Sequence, residues 1–184
     1  MLAQLPPAGD AVVVASDPYA ESALDGFFSP YRVRLFGSGA AALAAALLAV
    51  CRRANKSAPE ILLPAYACPE VVSAVLYAGA KPVPVDLDAQ SPRLSLDAVS
   101  AALNANTIAI VAIHLFGMRE RVAELQARAA SRGVVVIEDS AQAFPLGEAS
   151  SFWTADIAVV SFGRGKPVSV LGGGAVLYRD ASWA

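Results

Sequence analysis

The chain has 184 residues, of which 56% are hydrophobic and 16% are charged. This composition is typical of a globular protein with a well-buried core and argues against intrinsic disorder. The formal net charge is −2 and the sequence has no basic run. We therefore expect neither a nucleic acid nor an anionic membrane as a partner.

Metal, disulfide and membrane signals are weak. The two cysteines, Cys51 and Cys68, are too few for a disulfide framework, and a single histidine leaves no Cys/His cluster at metal-ligand spacing. We expect no metal site. The apolar stretch from Ala40 to Val50 is too short to span a bilayer, and the first residues lack the pattern of a secretory signal. A cytoplasmic location is the expectation.

The predicted elements alternate between strands and helices from about residue 33 onward. Residues 1–30 have the weakest pattern and are predicted to form an N-terminal extension that wraps the domain or reaches toward a partner. The predicted strands are Arg32–Phe36, Glu60–Leu63, Pro82–Val85, Ile108–Ile113, Val134–Glu138, Ile157–Ser161 and Ala175–Tyr178. The predicted helices are Ala40–Ala54, Pro69–Ala78, Leu96–Leu103 and Arg119–Arg132.

This order of elements predicts an α/β fold, a three-layer wound domain with a mainly parallel sheet. Strands such as Ile108–Ile113 are apolar at nearly every position, which favours a sheet covered by helices on both faces. The chain ends at Arg179–Ala184, just after the last predicted strand and without a closing helix. We therefore expect residues 31–184 to be one domain whose C-terminal companion is absent.

A small-residue turn, Gly37-Ser38-Gly39-Ala40-Ala41, follows the first strand and opens a helix. Backbone N–H groups and the positive end of the helix dipole converge at such a turn, so it can hold a phosphate without a basic side chain. The alternative is an ordinary strand-to-helix turn in which Ser38 or Gly39 is the N-cap.

Two polar positions follow other buried strands. Asp139 ends the run that begins at Val134, at the edge of a wound sheet where ligands bind. An acidic residue there can keep the nitrogen of a heteroaromatic ring protonated, although a helix N-cap or a surface turn would also explain it. Lys166 lies between Ser161-Phe162 and the triple glycine that begins at Gly172. A lysine in a pocket can bind a carbonyl covalently, but most lysines are solvated surface groups.

Five segments in order resemble the DegT/DnrJ/EryC1/StrS family of pyridoxal-phosphate (PLP) sugar aminotransferases. They are Ser38-Gly39-Ala40-Ala41-Ala42-Leu43, Pro64-Ala65-Tyr66-Ala67-Cys68-Pro69, His114-Leu115-Phe116-Gly117, Glu138-Asp139-Ser140-Ala141-Gln142, and Ser161-Phe162 with Lys166 and Gly173-Gly174. The resemblance covers roughly residues 31–180. It implies the large domain of a fold type I PLP-dependent transferase.

The resemblance also implies a role for each site residue. Lys166 would hold the cofactor covalently and later move a proton, and Asp139 would pair with the pyridine nitrogen. Gln142 would lie near the ring face and its hydroxyl group. The phosphate would be held by Ser161 and by the backbone of Gly39, Ala40 and Ala41.

Three positions depart from the family pattern. The usual threonine of the first turn is Ala40, which removes a hydroxyl from the phosphate site but leaves the backbone donors. The position from which an aromatic ring commonly stacks on the cofactor is Cys68, with Tyr66 two residues earlier. The acidic residue often found before the paired glycines is Gly172. We expect His114, the single histidine, to be structural rather than a general base.

The function that the resemblance implies is amino transfer from an amino acid, usually glutamate, to a keto group on a nucleotide-activated sugar, as in polysaccharide biosynthesis. A homodimer is implied as well. The alternative is a non-catalytic PLP-fold protein or structural subunit, favoured by the expected missing half and by the Ala40 and Cys68 departures. A dinucleotide-binding domain is a weaker possibility, since the sequence has no Gly-x-Gly-x-x-Gly fingerprint.

Overall fold

A computed structural model describes residue 24, residues 26–145, residue 147 and residues 151–183. Most of the predicted N-terminal extension, residues 1–23 and residue 25, therefore lies outside the described residues. Of its remainder, Phe28 is buried and packs against Trp153, with the ring centroids 5.6 Å apart.

The described part of the chain contains one seven-stranded sheet. Its strands are β1 (Arg32–Phe36), β2 (Glu60–Pro64), β3 (Lys81–Val85), β4 (Thr107–Ile113), β5 (Val135–Asp139), β6 (Ile157–Ser161) and β7 (Gly174–Tyr178). They lie in the order β1-β7-β6-β5-β4-β2-β3. Strand β7 pairs antiparallel with both of its neighbours, β1 and β6. The other four pairs, β6–β5, β5–β4, β4–β2 and β2–β3, are parallel.

The helices that follow β1 are α1 (Gly39–Ala54), α2 (Pro69–Tyr77), α3 (Leu96–Ala102) and α4 (Val122–Ala129), with short 3₁₀ turns at Leu115–Gly117, Ala130–Arg132 and Ala181–Trp183. All four predicted helices are present. The fourth was expected to begin at Arg119 but begins at Val122. The reason is that the Glu120 amide donates to Nδ1 of His114 at 3.0 Å, outside the helical pattern.

Helices cover the sheet on two faces, which confirms the predicted three-layer α/β fold. Alternate residues of β4 belong to different cores: Val111 packs with residues of α1 and α2, whereas Ile110 packs with residues of α3 and α4. Every residue of β4 is buried. This is why the strand is apolar at successive positions rather than at every second one.

One edge of the sheet collects the ends of several elements. The parallel strands β4, β5 and β6 end there at Ile113, Asp139 and Ser161. Strand β7 begins at the same edge, because Gly174 pairs with Ser161. Helix α1 begins beside it, through a bridge between Ser38 and Gly173. Ligands of wound α/β sheets bind at this edge.

No helix within the described residues is both long enough and apolar enough to cross a membrane.

Candidate functional site

A cavity of about 340 Å³ opens at this edge of the sheet. Seven of the eight predicted site residues line it: Gly39, Ala40, Cys68, Asp139, Gln142, Ser161 and Lys166. Residues that lie more than 100 positions apart in the chain meet here because the edge gathers the strand ends. Ala41 is not part of the lining.

The first turn of α1 forms one wall of the cavity. Ser38 is its N-cap, since the Ser38 hydroxyl accepts from the Ala41 amide at 3.1 Å. The Ala41 amide therefore already has a hydrogen-bond acceptor within the chain, whereas the Ala40 amide before it has none within the described residues. Gly39 and Ala40, the first two residues of this 16-residue helix, line the cavity, so the N–H groups and the positive dipole charge of the helix N-terminus lie at the cavity wall.

The backbone at Gly39 and Gly174 is packed so closely against its neighbours that only glycine fits at these two positions. A Cβ on Gly39 would lie 2.6 Å from Ser161 Cβ and 2.7 Å from Ser161 Oγ. A Cβ on Gly174 would lie 2.6 Å from the Gly39 nitrogen. Backbone amides and the Ser161 hydroxyl are consequently brought side by side, without side chains to keep an anion at a distance.

Asp139 provides a buried carboxyl group to the cavity. It is 5% exposed, and Oδ1 accepts from the Ala141 amide at 3.0 Å. Within the described residues, no other hydrogen bond satisfies this carboxyl. Burial raises its pKa above the usual range, although the Ala141 amide and the positive charge of Lys166 oppose the shift. A cationic or hydrogen-donating ligand group would complete its coordination.

Lys166 reaches the same cavity from the loop that follows β6. The loop turns back at Gly163, whose carbonyl accepts from the Lys166 amide at 3.2 Å, and returns to the sheet through Gly173. Gly173 has φ +93°, a conformation that side chains disfavour. Lys166 is half-buried. No hydrogen bond engages its amine within the described part of the chain.

Gln142 and Cys68 also line the cavity. The Gln142 Oε1 atom accepts from the Phe116 amide at 2.7 Å. Cys68 is exposed and is the N-cap residue of α2, but its thiol makes no capping hydrogen bond and donates instead to Glu70 Oε2 at 3.8 Å. Tyr66 is not part of the lining; it lies beside Phe116, with the ring centroids 6.0 Å apart. The structure therefore places a thiol, and not the neighbouring aromatic ring, on the cavity wall.

The opposite side of the β5 end is a buried polar cluster with no cavity. Glu138 is fully buried and Oε2 accepts from His114 Nε2 at 3.1 Å. Its Oε1 atom accepts from the Thr154 and Ala155 amides, each at 2.5 Å. Burial raises the pKa of Glu138, but these hydrogen bonds outweigh it and leave the pKa below the usual range.

His114 uses both ring nitrogens within this cluster. Its Nδ1 atom accepts from the Glu120 amide at 3.0 Å, so the proton lies on Nε2 and the ring is neutral. His114 is 0% exposed and does not line the cavity. The arrangement agrees with the structural role expected of this histidine.

Sequence reasoning missed the apolar walls of the cavity. Leu43, Val71, Ile113, Leu115, Val159 and Leu171 all contribute to the lining. Ile113 and Val159 were detectable in principle, since they end or nearly end parallel strands at the ligand edge. Leu171 was not, because it reaches the cavity from an irregular loop with φ +70°.

The lining fits a group that combines a phosphate, a protonated ring nitrogen and a carbonyl carbon. The glycine-floored turn of α1 suits the phosphate, and the incompletely bonded carboxyl of Asp139 suits a cationic ring nitrogen. Lys166 offers the amine that reacts with a carbonyl. Within the described residues there is no group of three or more His, Cys, Asp or Glu side chains that could hold a metal ion.

Solved structures define the class to which this fold belongs. The NtdA protein of Bacillus subtilis, solved with the bound cofactor PMP, is similar with a TM-score of 0.79 and 27% identity, over 91% of this chain and 38% of that one. An aminotransferase from Psychrobacter cryohalolentis is similar with a TM-score of 0.78 and 26% identity, over 88% of this chain and 41% of that one. The fold is that of the PLP-dependent aminotransferases.

Sequence comparison then gives the family. The profile of the DegT/DnrJ/EryC1/StrS aminotransferase family matches residues 21–184, and the chain belongs to this family. Its members are PLP-dependent enzymes. A UDP-N-acetyl-3-dehydro-α-D-glucosamine 3-aminotransferase of Acidithiobacillus ferrooxidans is 35% identical over 66% of this chain and 34% of its own length. The GDP-perosamine synthase of Escherichia coli O157:H7 is 30% identical over 78% of this chain and 39% of its own. The chain thus spans well under half the length of these relatives.

Proposed function

We propose that this chain carries the cofactor half of a PLP-dependent aminotransferase that acts on a nucleotide-activated keto sugar. One observation carries the proposal: the N-terminus of α1, the buried carboxyl of Asp139 and the amine of Lys166 line one cavity. Residues 31–184 would form the PLP-binding large domain.

The phosphate end would be held by neutral groups. The first amides of α1 and the Ser161 hydroxyl lie together because Gly39 has no side chain. A helix N-terminus stabilises an anion by roughly 0.3–1 kcal/mol in exposed sites and by more when it is partly buried. Ala40 in place of a threonine leaves this backbone contribution unchanged.

Asp139 and Lys166 would divide the chemistry between them. Bound PLP supplies a ring that withdraws electrons from a carbon attached to the substrate nitrogen. Asp139 would keep a proton on the ring nitrogen, because burial makes an unpaired carboxylate costly and an ionic partner favourable. Lys166 would provide Nζ first as the attachment point and then as the group that accepts and returns a proton.

The substrates and the assembly are proposals for the whole protein. A UDP-sugar aminotransferase and a GDP-perosamine synthase are among the relatives, which supports a nucleotide-activated sugar as the acceptor. Glutamate as the amino donor and a homodimer follow from the family resemblance. The cytoplasmic location stays a prediction.

Cofactor titration tests the proposal. The chain is mixed with PLP, its visible absorbance is recorded, and sodium borohydride is added to make the linkage permanent. We expect a yellow protein and a modified peptide that contains Lys166. The Lys166→Ala variant should lose the reducible linkage. Lys81→Ala is the matched control, since Lys81 is exposed and pairs with Glu60 at 2.9 Å.

Two results would oppose the proposal. A reducible adduct that persists in Lys166→Ala would assign the attachment to another lysine. A parent chain that stays colourless with added PLP would favour the alternative, a non-catalytic protein that has kept the fold.

A further inference from the structure

The cluster on the far side of β5 has no part in the proposed chemistry, yet it surrounds the strand residue next to Asp139. Glu138 receives four hydrogen bonds from three residues: one from His114, two from Thr154 and one from Ala155. Side chains of successive strand residues point to opposite faces. Whatever holds Glu138 in place therefore also sets the direction of Asp139.

We propose that the His114–Glu138 pair is a positioning unit that fixes the end of β5 so that the Asp139 carboxyl faces the cofactor cavity. The inference rests on the proposed function, because only that function requires Asp139 to face a cofactor. The effect of the pair on the position of Asp139 can be tested without any cofactor. His114 is the residue to substitute first, because its ring links Glu138 to the Glu120 amide, in the segment that precedes α4.

His114 has one donor and one acceptor in fixed places. Its Nδ1 atom accepts from the Glu120 amide, and its Nε2 proton is directed at Glu138 Oε2, 3.1 Å away. The backbone is tied as well, since the His114 amide donates to the Asp139 carbonyl at 3.0 Å. The ring cannot exchange its tautomer without placing a proton against the Glu120 N–H group.

Two substitutions of His114 separate these bonds. His114→Gln puts an amide near the position of Nε2 and keeps a donor for Glu138. His114→Asn puts an amide near the position of Nδ1 and keeps an acceptor for the Glu120 amide. Each variant loses one hydrogen bond of the ring. The bond lost in His114→Asn is the one to a carboxylate, so this variant should lose more stability, which is why the exchange measurement is corrected for global opening. Only His114→Asn removes the hydrogen bond to Glu138 Oε2.

The cluster offers two further variants. Glu138→Gln is isosteric, but its amide cannot accept from His114 and from the Thr154 and Ala155 amides at once. Tyr31→Phe is the control, since the Tyr31 hydroxyl donates to the Ala155 carbonyl at 2.6 Å. That variant weakens the same loop without removing a hydrogen bond from Glu138.

The first measurement is amide hydrogen exchange of the cofactor-free chain by NMR. The Ala141 amide donates to Asp139 Oδ1, so its exchange reports whether Asp139 keeps its place. Exchange at Ile110, in the fully buried strand β4, corrects for global opening. We expect the corrected Ala141 exchange to rise about tenfold or more in His114→Asn and Glu138→Gln, as for a lost hydrogen bond to a charged group. It should change little in His114→Gln and Tyr31→Phe.

The second measurement is the dissociation constant of PLP for the same proteins. We expect it to rise in His114→Asn and Glu138→Gln and to stay near the parent value in the other two. Equal corrected Ala141 exchange in all four variants would overturn the inference. If the parent does not bind PLP, the proposed function fails while the exchange result still decides the positioning role.

Discussion

The two sides of the β5 end differ in how completely their polar groups are paired. Glu138 and Asp139 are neighbours, and both are buried. Glu138 accepts hydrogen bonds at both oxygens and has a lowered pKa, whereas Asp139 accepts one from Ala141 and has a raised pKa. The paired side is a structural support. The unpaired side is where a ligand can contribute what the protein lacks.

The pKa shifts of these two carboxyls affect stability with opposite sign. A lowered pKa stabilises the folded chain above the unfolded pKa, and that stability is lost as the pH falls through the folded value. A raised pKa has the reverse effect, so folding becomes less favourable as the pH rises through it. The charge on Glu138 therefore supports the fold, whereas ionisation of Asp139 opposes it.

Loss of the Glu138 carboxylate should give the largest effect. Glu138→Ala leaves the His114 N–H group and the Thr154 and Ala155 amides without their acceptor. We expect the free energy of unfolding to fall by about 3–5 kcal/mol, because each buried donor left without an acceptor costs about 1–3 kcal/mol. Urea denaturation measures it. Glu124→Ala, at an exposed position of α4, should stay within about 0.5 kcal/mol of the parent. Similar losses in the two variants would show that Glu138 is not a support.

A side chain at Gly39, a residue of the cavity lining, should have the next largest effect. In Gly39→Ala the new methyl group meets Ser161, including its Cα at 3.3 Å, so the backbone has to move. We expect a loss of about 1–3 kcal/mol, typical of overpacking, together with weaker PLP binding. Thermal unfolding and a PLP titration measure the two effects.

The matched control for this prediction is Gly37→Ala. Nothing lies within 4 Å of a Cβ at Gly37, and its φ is not in the left-handed region. That variant should unfold and bind PLP like the parent. If both alanine variants behave alike, the close contact between Gly39 and Ser161 has no energetic importance.

Much of this arrangement was readable from the sequence because β-strand and turn signals are local. All seven predicted strands are present, and Arg32–Phe36 and Ile157–Ser161 have the predicted bounds. Seven of the eight predicted site residues line one cavity, because each follows or precedes a strand at the ligand edge. Ala41 was grouped with them from the motif alone, but Ser38 occupies its amide.

The support under the site was not predictable, since it depends on contacts between distant loops. Glu120 resembled an ordinary helix residue, yet it is buried and its Oε2 atom accepts from the Leu94 amide at 2.7 Å. Trp153 lay in a loop without periodicity, yet it is fully buried with Nε1 donating to the Ser140 hydroxyl at 2.9 Å. No spacing rule connects such pairs.

Neutralising Asp139 should stabilise the cofactor-free chain while it weakens the site. Asp139→Asn keeps an acceptor for the Ala141 amide but removes the buried charge. We expect its free energy of unfolding at pH 7 to exceed that of the parent by on the order of 1 kcal/mol. The gain should vanish near pH 4, where an ordinary aspartate begins to be protonated. PLP affinity should fall.

Denaturation curves from pH 4 to pH 8 check this prediction, with Asp86→Asn as the control at an exposed carboxyl. The control should show no such pH-dependent gain. A variant that is less stable than the parent at pH 7 would mean that Asp139 is well satisfied by the chain itself, and the contrast with Glu138 would then disappear.

The smallest expected effect concerns the alkylation of the two thiols. It reports on the exposure of the cavity wall and of α1 rather than on stability. Cys68 is exposed on the cavity wall, whereas Cys51 is half-buried in α1 and burial raises its pKa. Because the thiolate is the reactive form, Cys51 should be alkylated slowly at neutral pH and faster only as the pH rises. Single-cysteine variants, Cys51→Ser and Cys68→Ser, allow each rate to be followed with iodoacetamide. PLP should slow the reaction of Cys68, because the ring would occupy the wall on which this thiol lies, and should leave that of Cys51 unchanged. Equal protection of both thiols would indicate that PLP tightens the whole fold, and no protection at Cys68 would place the ring away from this wall.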